Sequence, residues 1–121
     1  MDNLDMKRAR SLLRSAKDLY DTGDLAGVAG LAYAAFESAT MALTARVNGK
    51  DHQNHRLRME RVKTLLSEYD DKIDFLWEVR NVDFYGNVRI GSPKREISSS
   101  EVEEGLEVVE KIVKEIEEMI D

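Results

Sequence analysis

The residues best suited to chemistry stand together in one run, R-N-V-D-F-Y-G-N, from Arg80 to Asn87. Read as the end of a helix, the run places Arg80, Asn81, Asp83, Tyr85 and Asn87 within about two turns of one another. A guanidinium beside a carboxamide offers donors suited to a phosphate or an RNA backbone. Tyr85 adds a hydroxyl and a ring that can stack. The run lacks a general base poised near neutral pH, because neither histidine lies in it, and cleavage of an RNA strand without metal ordinarily needs a proton acceptor for the 2′-hydroxyl. Asp83 or Glu37 would serve only with a raised pKa.

Other chemistries find less support. His52 and His55 form an H-x-x-H pair that can share a helical face, but no nearby pattern supplies a third and fourth ligand, so no metal centre is expected. There is no glycine-rich phosphate loop, no G-x-S-x-G and no cysteine, so no cofactor is implied and no thiol nucleophile exists. Arg80, Asn81, Asp83 and Glu37 could equally form a buried structural network.

The stretch that must position this group is Leu25–Val47, which carries a single charge, Glu37, between Leu25 and Ala45 in a chain that is 35% charged. A helix apolar on nearly all sides is a buried one. Its many alanines and glycines let neighbouring helices approach closely, so it is expected at the centre of a bundle. Tyr33, Glu37, Thr40 and Thr44 form a polar stripe along it. Glu37 there needs a partner. The stretch is long enough to span a bilayer, but Glu37, Ser38, Thr40 and Thr44 argue against insertion.

Four more helices fit around it. Apolar spacing predicts a first helix from about Asp2 to Tyr20, ended by Gly23, with Asp24 capping the second. The second ends at Asn48-Gly49 and a loop follows over Lys50–Asn54. The third runs from an Asn54 cap to about Glu68, with Met59, Val62, Leu65, Leu66 and Tyr69 facing the core and its basic residues facing out or sideways. Asp70-Asp71 would cap the fourth, whose apolar face is Ile73, Leu76, Trp77 and Phe84. That face holds Arg80 on the core side between two rings, and Gly86 ends the helix. After a loop over Asn87–Ile97, a capping box of Ser100 and Glu103 opens the fifth. Its seam is Val102, Leu106, Val109, Val113, Ile116 and Ile120, widened by Val108, Ile112 and Met119. The expectation is one all-α domain over 1–121, an antiparallel up-and-down bundle of about five helices.

The net charge of −6 is unevenly spread. Glu101–Asp121 holds nine acidic and two basic residues, whereas Arg46–Leu66 holds six basic and two acidic ones. Such blocks suggest complementary surfaces, or simply a solvated basic helix face. The absence of cysteine and of an apolar leader suits a cytoplasmic location.

The order of these features resembles HEPN domains, small all-helical proteins of prokaryotes and of some larger eukaryotic proteins. The similarity rests on SAKDLYDTGDLAGVAGLAYAAFESATMAL, on the His55 region and on LWEVRNVDFYGN. Within these, Ala32, Tyr33, Ala35, Phe36 and Ala39 form an A-Y-x-A-F-x-x-A run, and Arg80, Asn81, Tyr85 and Gly86 form R-N-x-x-x-Y-G. The resemblance implies a homodimer that brings two copies of the fourth-helix motif together across a cleft. It also implies a role as a metal-independent endoribonuclease toxin paired with a nucleotidyltransferase-fold antitoxin, or as an inactive relative that binds nucleotides or a partner. The family's active pattern adds a histidine a few residues after the Arg-polar pair. Arg80 and Asn81 match it, while the histidine positions hold Phe84, Tyr85, Gly86 and Asn87. The chain is closer to the subgroup with a tyrosine there, which by position makes Tyr85 a candidate for modification by the partner. The expected function is therefore a non-catalytic or weakly active homodimeric module that binds a nucleotide, an RNA phosphate or a partner nucleotidyltransferase through Arg80, Asn81, Asp83, Tyr85 and Glu37. The alternatives are the endoribonuclease, with Arg80 and Asn81 as catalytic residues, and a purely structural helical dimer.

Overall fold

A computed structural model describes residues 3–48, 55–89 and 91–120. It contains α1 (Leu4–Tyr20), α2 (Leu25–Asn48), α3 (His55–Leu65), a 3₁₀ turn (Ser67–Tyr69), α4 (Asp70–Tyr85) and α5 (Ser99–Ile120). No strand occurs among the described residues. The fold is all-α.

The helix ends follow from capping chemistry. Asn3 accepts from the Met6 N–H at 3.1 Å and starts α1. Gly23, at φ +82°, takes the left-handed turn between α1 and α2, and Asp24 then accepts from the Gly27 N–H at 3.0 Å. Gly86 ends α4 in the same left-handed conformation, its N–H donating to the Val82 carbonyl at 2.9 Å.

Two expected caps are placed differently. Asp70 and Asp71 lie inside the first turn of α4, because the 3₁₀ turn runs directly into that helix and puts Tyr69, which makes no side-chain cap hydrogen bond, at the cap position. They act on the helix dipole instead, and Lys63 pairs with Asp70 and Asp74. The 3₁₀ turn also shortens α3, which stops at Leu65 rather than near Glu68. The box that opens α5 is Ser98 with Glu101, one register earlier than Ser100 with Glu103. Ser98 Oγ accepts from the Glu101 N–H, and Glu101 Oε1 accepts from the Ser98 N–H, each at 3.2 Å. Arg95, from the preceding loop, decides between the registers by gripping both Glu101 oxygens at 2.6 and 2.7 Å. The expected Asn54 cap, His52 and the Lys50–Asn54 loop lie outside the described residues.

The four long helices alternate in direction. Arg10 with Glu117, Lys17 with Glu110 and Tyr20 with Glu103 tie α1 to α5 in antiparallel register. The α2 helix is the centre: Val28, Ala35, Phe36, Ala39, Ala42, Leu43, Thr40 and Thr44 are all buried. The two threonines satisfy themselves by donating to the Glu37 and Thr40 carbonyls at 2.7 and 2.9 Å. This helix is apolar and long enough to cross a membrane, and more than half of that window is buried inside the bundle.

On α4 the core stripe is Ile73, Leu76, Val79 and Val82. Trp77 and Phe84 are instead among the exposed large hydrophobic residues, so the ridge carrying Arg80 is not core-facing as expected. The reason is lateral: α2 and α5 occupy the Leu76 side, where Leu76 closes onto Gly105, and this rotates the 77-80-84 ridge away from the core. On α5 the buried seam runs through Val102, Gly105, Val109, Ile112, Val113 and Ile116, with Met119 exposed.

Arg95 and Ser98 together hold the Glu101 carboxyl down from 4.5 to about 2. A carboxyl with a depressed folded pKa contributes stability that is complete above its unfolded value and is lost as pH falls through the folded one. Glu101→Gln is therefore expected to flatten the acid-induced loss of stability between about pH 4.5 and 2, read from melting temperatures across that range.

Candidate functional site

The end of α4 and the loop after it form one unit. The Asn81 carboxamide is buried and donates to the Val88 carbonyl at 3.0 Å, which folds the loop back on the helix. Its oxygen accepts from Arg80 Nη1 at 3.4 Å. Asn87, also buried, donates to the Ser92 carbonyl at 3.2 Å, and Ser92 Oγ donates to the Arg89 carbonyl at 2.7 Å. Lys94 reaches the Tyr85 carbonyl at 2.5 Å, and the Arg95 N–H donates to the Gly86 carbonyl at 2.7 Å. A cleft of about 360 Å³ results, lined by Trp77, Arg80, Asn81, Tyr85, Asn87 and Arg89.

Arg80 dominates this cleft. Its guanidinium lies 4.5 Å from the Phe84 ring centre, 4.9 Å from Trp77, 5.6 Å from Tyr85 and 5.8 Å from Tyr33. Aromatic faces stabilise a cation without neutralising it. No carboxylate among the described residues makes an ion pair with Arg80, and its buried Nε has no hydrogen-bond partner there. A fork of planar donors held in this way is matched to an oxyanion.

The remaining expected site residues are not in this cleft. Glu37 pairs with Arg58, not with Arg80, at 3.3 Å. Asp83 faces the start of α2, near Gly30 and Asp24, and burial, followed by the Asp24 charge, raises its pKa. The structure thus brings Arg80, Asn81, Tyr85 and Asn87 together and sets Asp83 and Glu37 apart.

Two residues that matter here were read differently from the sequence. Arg58, expected with the other basic residues of this helix to face out or sideways, is 4% exposed and packs against Glu37. Its spacing from the buried Val62 and Leu66 is the helical spacing of one face, a signal that its charge obscures. His55, seen only as half of an H-x-x-H pair, stacks on Trp77 at 5.2 Å between ring centres. Its Nδ1 lies 3.3 Å from Arg58 Nη2. Burial lowers its pKa, helped by the Arg58 and Arg80 charges and opposed by Glu37, so the ring is neutral at pH 7. Burial also pushes the Tyr33 phenol up, with Glu37 adding to it. His52 lies outside the described residues, and no group of three or more possible metal ligands gathers among those described.

The sequence matches the HEPN domain family over residues 4–119. The chain belongs to the HEPN domain family. This makes it a helical module of the nucleotide- and RNA-related kind. No curated protein and no solved structure matches it. In this HEPN domain the motif residues Arg80 and Asn81 have separate tasks: Arg80 presents charge to the cleft, while Asn81 locks the loop and the guanidinium in place.

The two arginines should separate cleanly on mutation. Arg58→Ala removes a buried partner of Glu37 and His55, and is expected to destabilise by about 3 kcal/mol, the low end for a broken buried pair because Glu37 is partly solvated. Arg80→Ala, at an open cleft, is expected to cost less than about 1 kcal/mol. Denaturant unfolding of both variants checks the contrast.

Proposed function

We propose that this HEPN domain is a binding module, not a nuclease, and that it holds the phosphate of a nucleotide or of RNA at Arg80. The observation that carries this reading is the Arg80 guanidinium, caged by four aromatic rings and facing a cleft without a carboxylate partner among the described residues. Arg89 lines the same cleft and adds a second positive charge, and the Tyr85 hydroxyl is within the lining. The non-catalytic side of the reading is supported by the cleft's composition, since its described lining holds no histidine and no carboxylate.

Charge-assisted hydrogen bonds of this type contribute about 1.5–3 kcal/mol each. Titration calorimetry with nucleoside monophosphates and with a short single-stranded RNA is expected to show binding that Arg80→Ala weakens at least about tenfold. Arg80→Lys should recover only part of it, because an ammonium lacks the planar fork. Equal affinity in wild type and Arg80→Ala would sink the reading. Cleavage of the RNA without metal, lost in Arg80→Ala, would establish the endoribonuclease alternative.

We further propose that the domain works as a homodimer through the end of α4. Phe84 and Tyr85 are 53% and 57% exposed and pack edge to face at 6.2 Å between ring centres, which leaves two large rings in solvent beside Arg80. Sedimentation velocity is expected to give a dimer for the wild type and a shift toward monomer for Phe84→Ser.

A further inference from the structure

A second cleft of about 330 Å³ is lined chiefly by residues of α3 and α4. Tyr33, His55, Met59, Ile73 and Trp77 line it, together with the charged residues Arg56, Glu60, Lys63 and Asp74. Trp77 lines this cleft and the Arg80 cleft alike, so the two are neighbours across one indole ring. We propose that this second cleft is a nucleobase subsite: the base lies among Trp77, Met59 and His55, and its sugar-phosphate crosses Trp77 to reach Arg80. The inference rests on the phosphate-binding reading above and specifies what carries the phosphate.

Three observations support this occupant. The accessible surface of the cleft is mainly apolar, with charged groups of both signs also in its lining, and it carries aromatic rings from three elements, a surface suited to a π-system. Its volume lies at the lower end of the range for small-molecule sites, roughly 300–1,000 Å³. The third is the tautomer of His55. A guanidinium can only donate, so the contact between Arg58 Nη2 and His55 Nδ1 makes Nδ1 the acceptor. The neutral ring then carries its proton on Nε2 and presents a donor. A donor at the edge of an apolar slot fits the ring nitrogens and carbonyls of a base. It also removes His55 as a general base at neutral pH, since the lone pair is already engaged, which agrees with binding rather than cleavage. The positive charge lies where the phosphate must go: Arg80 has no carboxylate partner among the described residues, whereas Lys63 is occupied by Asp70 and Asp74.

Trp77 is the only tryptophan of the chain and lines both clefts, so its fluorescence reports ligands in either, and a stacked base is distinguished by the size of the change. Stacking of a base is expected to quench it, and AMP, GMP and UMP are the probes. Ribose 5-phosphate, which has the phosphate but no base, should quench less and bind Arg80 at least about tenfold more weakly, the cost of one lost stacking contact. His55→Leu should weaken the nucleotides several-fold and leave ribose 5-phosphate unchanged, while His55→Gln, which keeps an N–H donor, should restore part of the loss. A single-stranded ribonucleotide oligomer separates the two sources of such a unit. If it binds no better than AMP, GMP or UMP, the ligand is a free nucleotide. If it binds far better with the same His55 dependence, the base is read within RNA.

Nucleotides and ribose 5-phosphate binding equally, both dependent on Arg80, would overturn the base subsite and leave phosphate binding intact. No binding of any probe would overturn both. A His55→Leu protein that changes oligomeric state but binds nucleotides normally would assign the cleft to a protein contact and likewise overturn the subsite. Should the His55 variants not fold, the affinity comparison between the nucleotides and ribose 5-phosphate on wild-type protein still decides the point.

Discussion

The arrangement on this face depends on one buried ion pair, Arg58 with Glu37. The α3 helix is short and strongly basic, and the 3₁₀ turn cuts it off at Leu65. Its apolar contribution is small, chiefly Val62 with partial burial of Met59 and Leu65. A helix of this kind is positioned by tertiary contacts rather than by its own propensity. Arg58 reaches across to Glu37 on α2 and, from the same guanidinium, orients His55. His55 then stacks on Trp77, and Trp77 forms one wall of the Arg80 cage. One electrostatic contact therefore orders a chain of rings that ends at the Arg80 cleft.

That contact is possible because α2 is packed so closely. Its alanines let α1 and α5 approach, and they exclude water from Thr40, Thr44 and the inner side of Glu37. A carboxylate on such a helix needs a partner, because an unpaired buried charge is costly. Glu37 remains about a third exposed, so the pair sits at the edge of the core, where its desolvation cost is moderate and its directional value is retained. By contrast, Arg80 is surrounded by rings that stabilise its charge without consuming its donors. The two arginines differ in their surroundings: a carboxylate in one case, π-faces in the other.

Much of the fold was legible in the sequence because it follows from local rules. The apolar run of α2, the left-handed glycines at 23 and 86, and the Asp24 cap are written in residue types and short spacings. So are five helices and the grouping of Arg80, Asn81, Tyr85 and Asn87, since residues a few positions apart on one helix end must be neighbours. Local rules failed where two candidates competed. Three consecutive serines could each open α5, and Arg95 chose Ser98 by holding Glu101. Apolar residues on two sides of α4 could each face the core, and the position of α2 and α5 chose Leu76 and Val79 over Trp77 and Phe84.

The sequence by itself determined the all-helical class and the grouping of the motif residues on α4, because periodicity, capping and spacing act over a few residues; the family was legible only through the resemblance of its motifs. Tertiary structure alone decided that Glu37 meets Arg58, that His55 lies on Trp77, and that Asp83 turns toward α2 and away from Arg80. Each of these relations joins different helices. Side-chain contacts between helices are set by the rotation and crossing of packed elements, which no short spacing encodes. The same packing gives the molecule two adjoining clefts around one tryptophan where the sequence displays only an isolated motif.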